Sequence, residues 1–136
     1  MAAAIEQLIP HRAPLRWVEE LIDCTDTTAK ATTRFTAEHF AVTGGQVIET
    51  ALVECMAQTV AAALGQRLRA SGNSGAGNNG MLAAVSNFKI HARPPLDQTL
   101  TIEVREVKRL GPMLMITGKI SCGAELIATG DLSLYA

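Results

Sequence analysis

The segment ALVECMAQTVAAAL, residues 51–64, is apolar on nearly every side, with Glu54 and Gln58 as its conspicuous exceptions. If it is helical, it has no solvent face, and a helix apolar all round must be buried on most sides. In a chain of 136 residues, the partner able to wrap such a helix is a sheet. The breaks on either side set its length. TGG at 43–45 interrupts the chain before it, and SGNSGAGNNG at 71–80 follows it as a glycine- and asparagine-rich flexible loop. The helix is therefore predicted from about Val47 to Arg69, with Arg67 and Arg69 in its last turns, where cations suit the helix dipole.

The wrapping strands follow from alternation and turn residues. Residues 15–24 and 28–37 read as two strands joined at TDT, and residues 80–92 as a third. TLTIEVREVKRL, 99–110, alternates with Leu100, Ile102, Val104 and Val107 on one side, leaving slack for a bulge near Glu106. GP turns the chain into 113–122, and GAE turns it again into 126–135. Two strands, one buried helix and then four strands in a meander define an α+β chain: a hot-dog fold, an antiparallel sheet wrapped around one long central helix, as a single domain over 1–136. The alternative is an open α+β sandwich with the helix on one face, which the all-round apolar helix disfavours.

Charge and cysteine content remove several classes of function. A net charge of −1 argues against nucleic-acid binding by bulk charge. The best apolar run is interrupted by Glu49 and Glu54, so no membrane span is expected. The apolar stretch at the start, MAAAIEQLIPHR, has no basic segment ahead of it and does not read as a signal peptide. Cys24, Cys55 and Cys122 form neither a disulfide framework nor a zinc spacing. Reduced thiols in a cytoplasmic protein are expected, with Cys55 as a small core hydrophobe rather than a nucleophile. No metal site is expected.

Glu54 is the residue that asks for an explanation. An ionised carboxylate buried without partners costs several kcal/mol, so Glu54 is expected at the end of the helix that emerges from the sheet, at solvent or lining a cleft as an acid. Gln58, four residues on, shares its face and either orients the carboxylate or satisfies a strand carbonyl.

Three stretches then resemble the hot-dog-fold 3-hydroxyacyl-acyl-carrier-protein dehydratases. LIPHRAPLRWVEELID resembles that family's opening Leu-Pro-His-Arg-x-Pro. VECMAQTVAA resembles its helix motif Glu-x-x-Ala-Gln, and SNFKIHARPPLDQTLTIEV its turn-and-strand. They occur in the family's order, and the resemblance covers about residues 5–135. It implies a site at a homodimer interface beside an acyl tunnel. There Glu54 is the acid that helps the 3-hydroxyl leave, and His39 the base for the C2 proton. A backbone N–H at the helix start polarises the thioester carbonyl. Gln58, Phe40, Val47 and Ile48 are the substrate-binding residues, and no cofactor is required. The histidine loop departs from the family pattern. Glu38 replaces the glycine before the histidine, the following prolines are missing, and Glu49 stands where the helix-start glycine would be. His39 lies fifteen residues before Glu54, one more than the usual spacing. This resembles a divergent branch associated with fatty-acid-like or polyene pathways.

The expected function is dehydration of 3-hydroxyacyl thioesters to trans-2-enoyl thioesters, with acyl carrier protein or coenzyme A as carrier. A homodimer or higher homo-oligomer is expected, or a hetero-oligomer with a paralogue. Two alternatives stand beside it: a thioesterase using the helix carboxylate to activate water, and a non-catalytic or half-site partner subunit of a hot-dog dehydratase. His11 reads as structural. Lys89, His91 and Arg93 read as a basic rim which, with Arg12, Arg67 and Arg69, could receive an acidic carrier protein.

Overall fold

The computed structural model describes residues 4–72 and 81–135. A short helix α1, Ile5–Leu8, precedes strands β1, Glu20–Cys24, and β2, Thr28–Thr33. A small hairpin follows, β3 (Val42–Thr43) and β4 (Gln46–Val47), leading into the long helix α2, Glu49–Ala70. Four strands complete the chain: β5, Met81–Ile90; β6, Leu100–Leu110; β7, Met113–Cys122; and β8, Glu125–Tyr135. Six of the strands form one antiparallel sheet in the order β1-β2-β6-β7-β8-β5. The sheet curls around α2, which touches every one of its strands. This is the hot-dog fold.

Alternation decides which residues face the helix. In β6, Leu100, Ile102 and Val104 are buried, and in β7 Leu114, Ile116 and Ile120 join them. From α2, Ala51, Leu52, Cys55, Met56, Val60, Ala62 and Ala63 fill the space between. Full burial of a leucine or methionine such as Leu52 or Met56 contributes about 1.5–3 kcal/mol.

Several sequence expectations are revised here. The last four strands are not one meander. β6, β7 and β8 are consecutive neighbours, but β5 crosses over to pair with β8 at the sheet edge. β6 bulges between Glu106 and Lys108 as expected, and that extra residue turns Val107 out of the core, to 59% exposure. The first strand begins at Glu20 rather than residue 15, because the N–H groups of Trp17 and Val18 are claimed by a helix side chain. The second stops at Thr33. Phe35 then turns into the core, and its carbonyl accepts the Asp97 N–H. Helix α2 starts two residues later than expected, since Val47 pairs with Val42 in the small hairpin. The TGG that was expected to break the chain forms that hairpin's turn, with Gly44 and Gly45 at φ of 61° and 76°, as a tight antiparallel connection requires. Of the loop expected over 71–80, residues 73–80 lie outside the described residues.

Helix α1 packs directly on α2, and one glycine makes that possible. A Cβ on Gly65 would lie 2.2 Å from the Leu8 carbonyl oxygen. Glycine-to-alanine changes inside a helix ordinarily stabilise by about 1 kcal/mol. Here the sign reverses: Gly65→Ala is expected to destabilise by about 1–3 kcal/mol because α1 must move off the helix. Urea unfolding checks this; an unchanged or raised midpoint would show that the close approach is not needed.

Candidate active site

From α1 the chain runs back along α2 as a strap. Leu8 sits on Gly65, and the stretch from Leu15 to Val18 lies beside Gln58. Gln58 is fully buried. Its Oε1 accepts the N–H of Trp17 at 2.9 Å and that of Val18 at 3.1 Å. Its Nε2 donates to the Leu15 carbonyl at 2.8 Å and to Oε1 of Glu54 at 3.1 Å. All four hydrogen-bonding positions of the amide are filled. Gln58 was expected among the substrate-binding residues. Within the chain its amide has no exposed surface and no spare donor, and it positions the strap and Glu54.

Glu54 is different. Its side chain is 36% exposed, and among the described residues hydrogen bonds reach only Oε1. The Nε2 of His11 stands 3.5 Å from the same oxygen. His11, read from sequence as structural, is therefore the histidine that meets Glu54 within the chain. Nothing in the spacing of residues 11 and 54 could have shown that; the signal was the strap, whose course depends on Gln58. The other ring nitrogen of His11, Nδ1, is buried and has no hydrogen-bond partner among the described residues. The guanidinium of Arg12 caps the turn by donating to the carbonyls of Ile9 and His11.

His39 lies in the turn before the small hairpin. Its N–H donates to the Thr36 carbonyl at 3.0 Å, and its carbonyl accepts from Val42 at 3.0 Å. Its ring packs edge-on against Phe35, with centroids 4.7 Å apart, and near Trp17 at 6.0 Å. Nδ1 accepts the Ala41 N–H at 2.9 Å. Burial lowers the pKa of the ring below the ordinary histidine value, opposed by the Glu19 carboxylate. His39 and Glu54 share no hydrogen bond or ion pair among the described residues. The loop that lacks the family's prolines is nonetheless ordered by these bonds.

The apolar candidates divide. Phe40 is 62% exposed and tilted against Trp17 with centroids 6.4 Å apart, and Ile48, the residue before α2, is 44% exposed. Val47 is buried and lines a cavity of about 280 Å³ at the N-terminus of α2, with Glu49, Leu52, Ile90, His91 and Arg93. His91 Nε2 lies 2.9 Å from Thr129 Oγ1, so the rim read from the sequence is partly engaged with the sheet. A larger hollow of about 490 Å³ lies on the outer face of the sheet. There Glu103 bridges Lys119 at 3.1 Å and Lys30 at 3.2 Å, and the Lys119 hydrogen bond leads in holding its pKa low. It shares no residue with the Glu54 or His39 surroundings. Cys55 is fully buried, which together with the neighbouring Glu54 pushes its thiol far up and leaves no nucleophile. No cluster of metal-ligating side chains occurs among the described residues, and no described helix is long and apolar enough to cross a membrane.

A hot-dog fold with a half-exposed carboxylate on its central helix is the frame in which comparisons with known proteins are read. The chain belongs to the ApeP-like family: the family model described as ApeP dehydratase matches residues 3–136. Among solved structures, the dehydratase heterocomplex ApeI:P from Xenorhabdus doucetiae is similar at 19% identity and a TM-score of 0.89, covering 99% of this chain and 91% of that one. A hypothetical thioesterase with coenzyme A from Streptococcus pneumoniae is similar at 14% identity and a TM-score of 0.66, covering 85% and 83%. An uncharacterized protein from Pyrococcus horikoshii is similar at 13% and 0.71, covering 98% and 93%. At these identities the structural likenesses show the fold. Comparison with curated proteins finds no match.

The Gln58 network predicts a specific loss. Gln58→Leu keeps the bulk but leaves two N–H groups and one carbonyl without their partner. It is expected to cost about 2–5 kcal/mol in chemical denaturation. Gln58→Glu keeps acceptors for Trp17 and Val18 but loses both donations, and should also destabilise. Wild-type stability in Gln58→Leu would mean that the strap is held by packing alone.

Proposed function

We propose that this chain takes part in the dehydration of 3-hydroxyacyl thioesters, carried on acyl carrier protein or coenzyme A, to trans-2-enoyl thioesters, in a fatty-acid-like or polyene pathway. Glu54 and His39 are its catalytic residues. The observation that carries the reading is Glu54 itself: a carboxylate fixed at one oxygen by a buried glutamine, open at the other, in a chain of a dehydratase family. The elimination needs a group that moves a proton between C2 and the leaving hydroxyl. It also needs positive potential for the enolate oxygen. The N-terminus of the 22-residue α2 supplies the latter in part. Phe40, Val47 and Ile48 would line the acyl path near that end, and the basic side chains Arg12, Lys89 and Arg93 would receive the carrier. The free thiols of Cys24, Cys55 and Cys122 fit a reducing cytoplasm.

The site is proposed to form between two chains. Edge strand β5 supports this. Over ten residues it carries one charge, Lys89, and Met81 and Val85 are exposed. The opposite edge, β1, carries Glu20 and Asp23 and is broken by a bulge, the features that keep an edge unpaired. The partner is either a second copy or a paralogue. The likeness to a dehydratase heterocomplex favours a second reading, in which this chain supplies half of a mixed site.

Mass spectrometry of 3-hydroxyacyl carrier-protein thioesters tests both readings. Wild type is expected to convert them with loss of water, and Glu54→Gln to be slower by about 10²-fold or more. Water loss only when a homologous subunit is added would support the half-site reading, and none under either condition would sink the dehydratase proposal.

A further inference from the structure

The hydrogen bonds of His39 restrict what its ring can do. A ring nitrogen that accepts a hydrogen bond carries no proton, and Nδ1 accepts the Ala41 N–H at 2.9 Å. Neutral imidazole has one N–H, so the proton must sit on Nε2. Ala41 is buried; turning its N–H partner into a second donor would leave that amide unpaired and cost about 1–3 kcal/mol. The edge-on contacts with Phe35 and Trp17 hold the ring plane against rotation, and burial favours the neutral form. The nitrogen left to face a substrate is therefore an N–H donor, with no lone pair to accept a proton. Glu54, by contrast, has an oxygen that no described residue engages.

We propose that His39 acts as a neutral Nε2–H hydrogen-bond donor to the thioester carbonyl oxygen, and that Glu54 is the group that moves the proton. This rests on the dehydratase reading and reverses the role that the family resemblance assigned to His39. A carboxylate oxygen of Glu54 takes the C2 proton, and the C–H electrons flow toward the carbonyl oxygen, where His39 Nε2–H stabilises the developing enolate. The C3–O bond then breaks with its electron pair on oxygen. Glu54 returns the same proton to that oxygen, which leaves as water while the C2–C3 double bond forms. The carboxylate is regenerated, His39 keeps its proton throughout, and no co-reactant is needed.

Two measurements on the full chain test this. Long-range ¹H–¹⁵N correlation of uniformly labelled protein at neutral pH reads the tautomer directly. The expected result is a His39 ring protonated at Nε2 only; protonation at Nδ1 overturns the proposal. In the water-loss assay, His39→Gln keeps an N–H donor but cannot act as base. It is expected to retain activity within about tenfold of wild type while His39→Ala falls by about 10²–10³-fold. A His39→Gln variant as inactive as His39→Ala, yet folded by its ¹⁵N spectrum, also overturns it. If wild type releases no water with or without a homologous subunit, the dehydratase reading fails and takes the catalytic role with it. The tautomer spectrum still decides the hydrogen-bond assignment on its own.

Discussion

One buried amide holds the candidate site together. Gln58 ties the backbone of residues 15–18 to the central helix and uses its remaining N–H to fix one oxygen of Glu54. Without it, Trp17 and Val18 would be free to extend β1 along β2, and the strap that brings His11 to Glu54 would lose its anchor. A fully satisfied buried network of this kind specifies one arrangement, because every alternative leaves a polar group unpaired. Gly65 adds the second condition, the close approach of Leu8 that starts the strap on its course.

The architecture was legible in the sequence for a plain reason. A helix with no polar face leaves few ways to bury it, and the alternation of Leu100, Ile102 and Val104 marks a strand covering it. Strand order was less legible. Residues 80–92 read as a strand and Met81–Ile90 form one, but nothing local says that this strand lies at the sheet edge, paired with β8. Val107 shows the limit of alternation: the bulge was foreseeable, yet its effect on the one residue inside it was assigned to the wrong side.

The site was half legible. Glu54 stood out because a carboxylate in an apolar helix is costly, and Gln58 stood out beside it, but the role of Gln58 needed coordinates. Its backbone partners lie some forty residues away, and no spacing rule connects them. His11 was passed over for the same reason. His39 was found through resemblance, and the tautomer of its ring depends on a hydrogen bond two residues away that only the folded hairpin makes. In the proposed role the loop keeps the histidine but leaves its free nitrogen, Nε2, as a donor. The buried Ala41 N–H, which would lose its acceptor in the other tautomer, holds the ring in that state.

The proposed function carries one requirement: Glu54 and His39, which share no hydrogen bond or ion pair among the described residues of one chain, would have to meet across two chains. The direct measurement is complementation between inactive variants. Glu54→Gln and His39→Ala chains, differently tagged and co-expressed, are purified through both tags and assayed for water loss. If the site is composite, each mixed dimer holds one intact and one doubly altered site, and activity should return to about half that of wild-type dimers. Mixed dimers as inactive as either parent would contradict the account and place the two residues in separate sites.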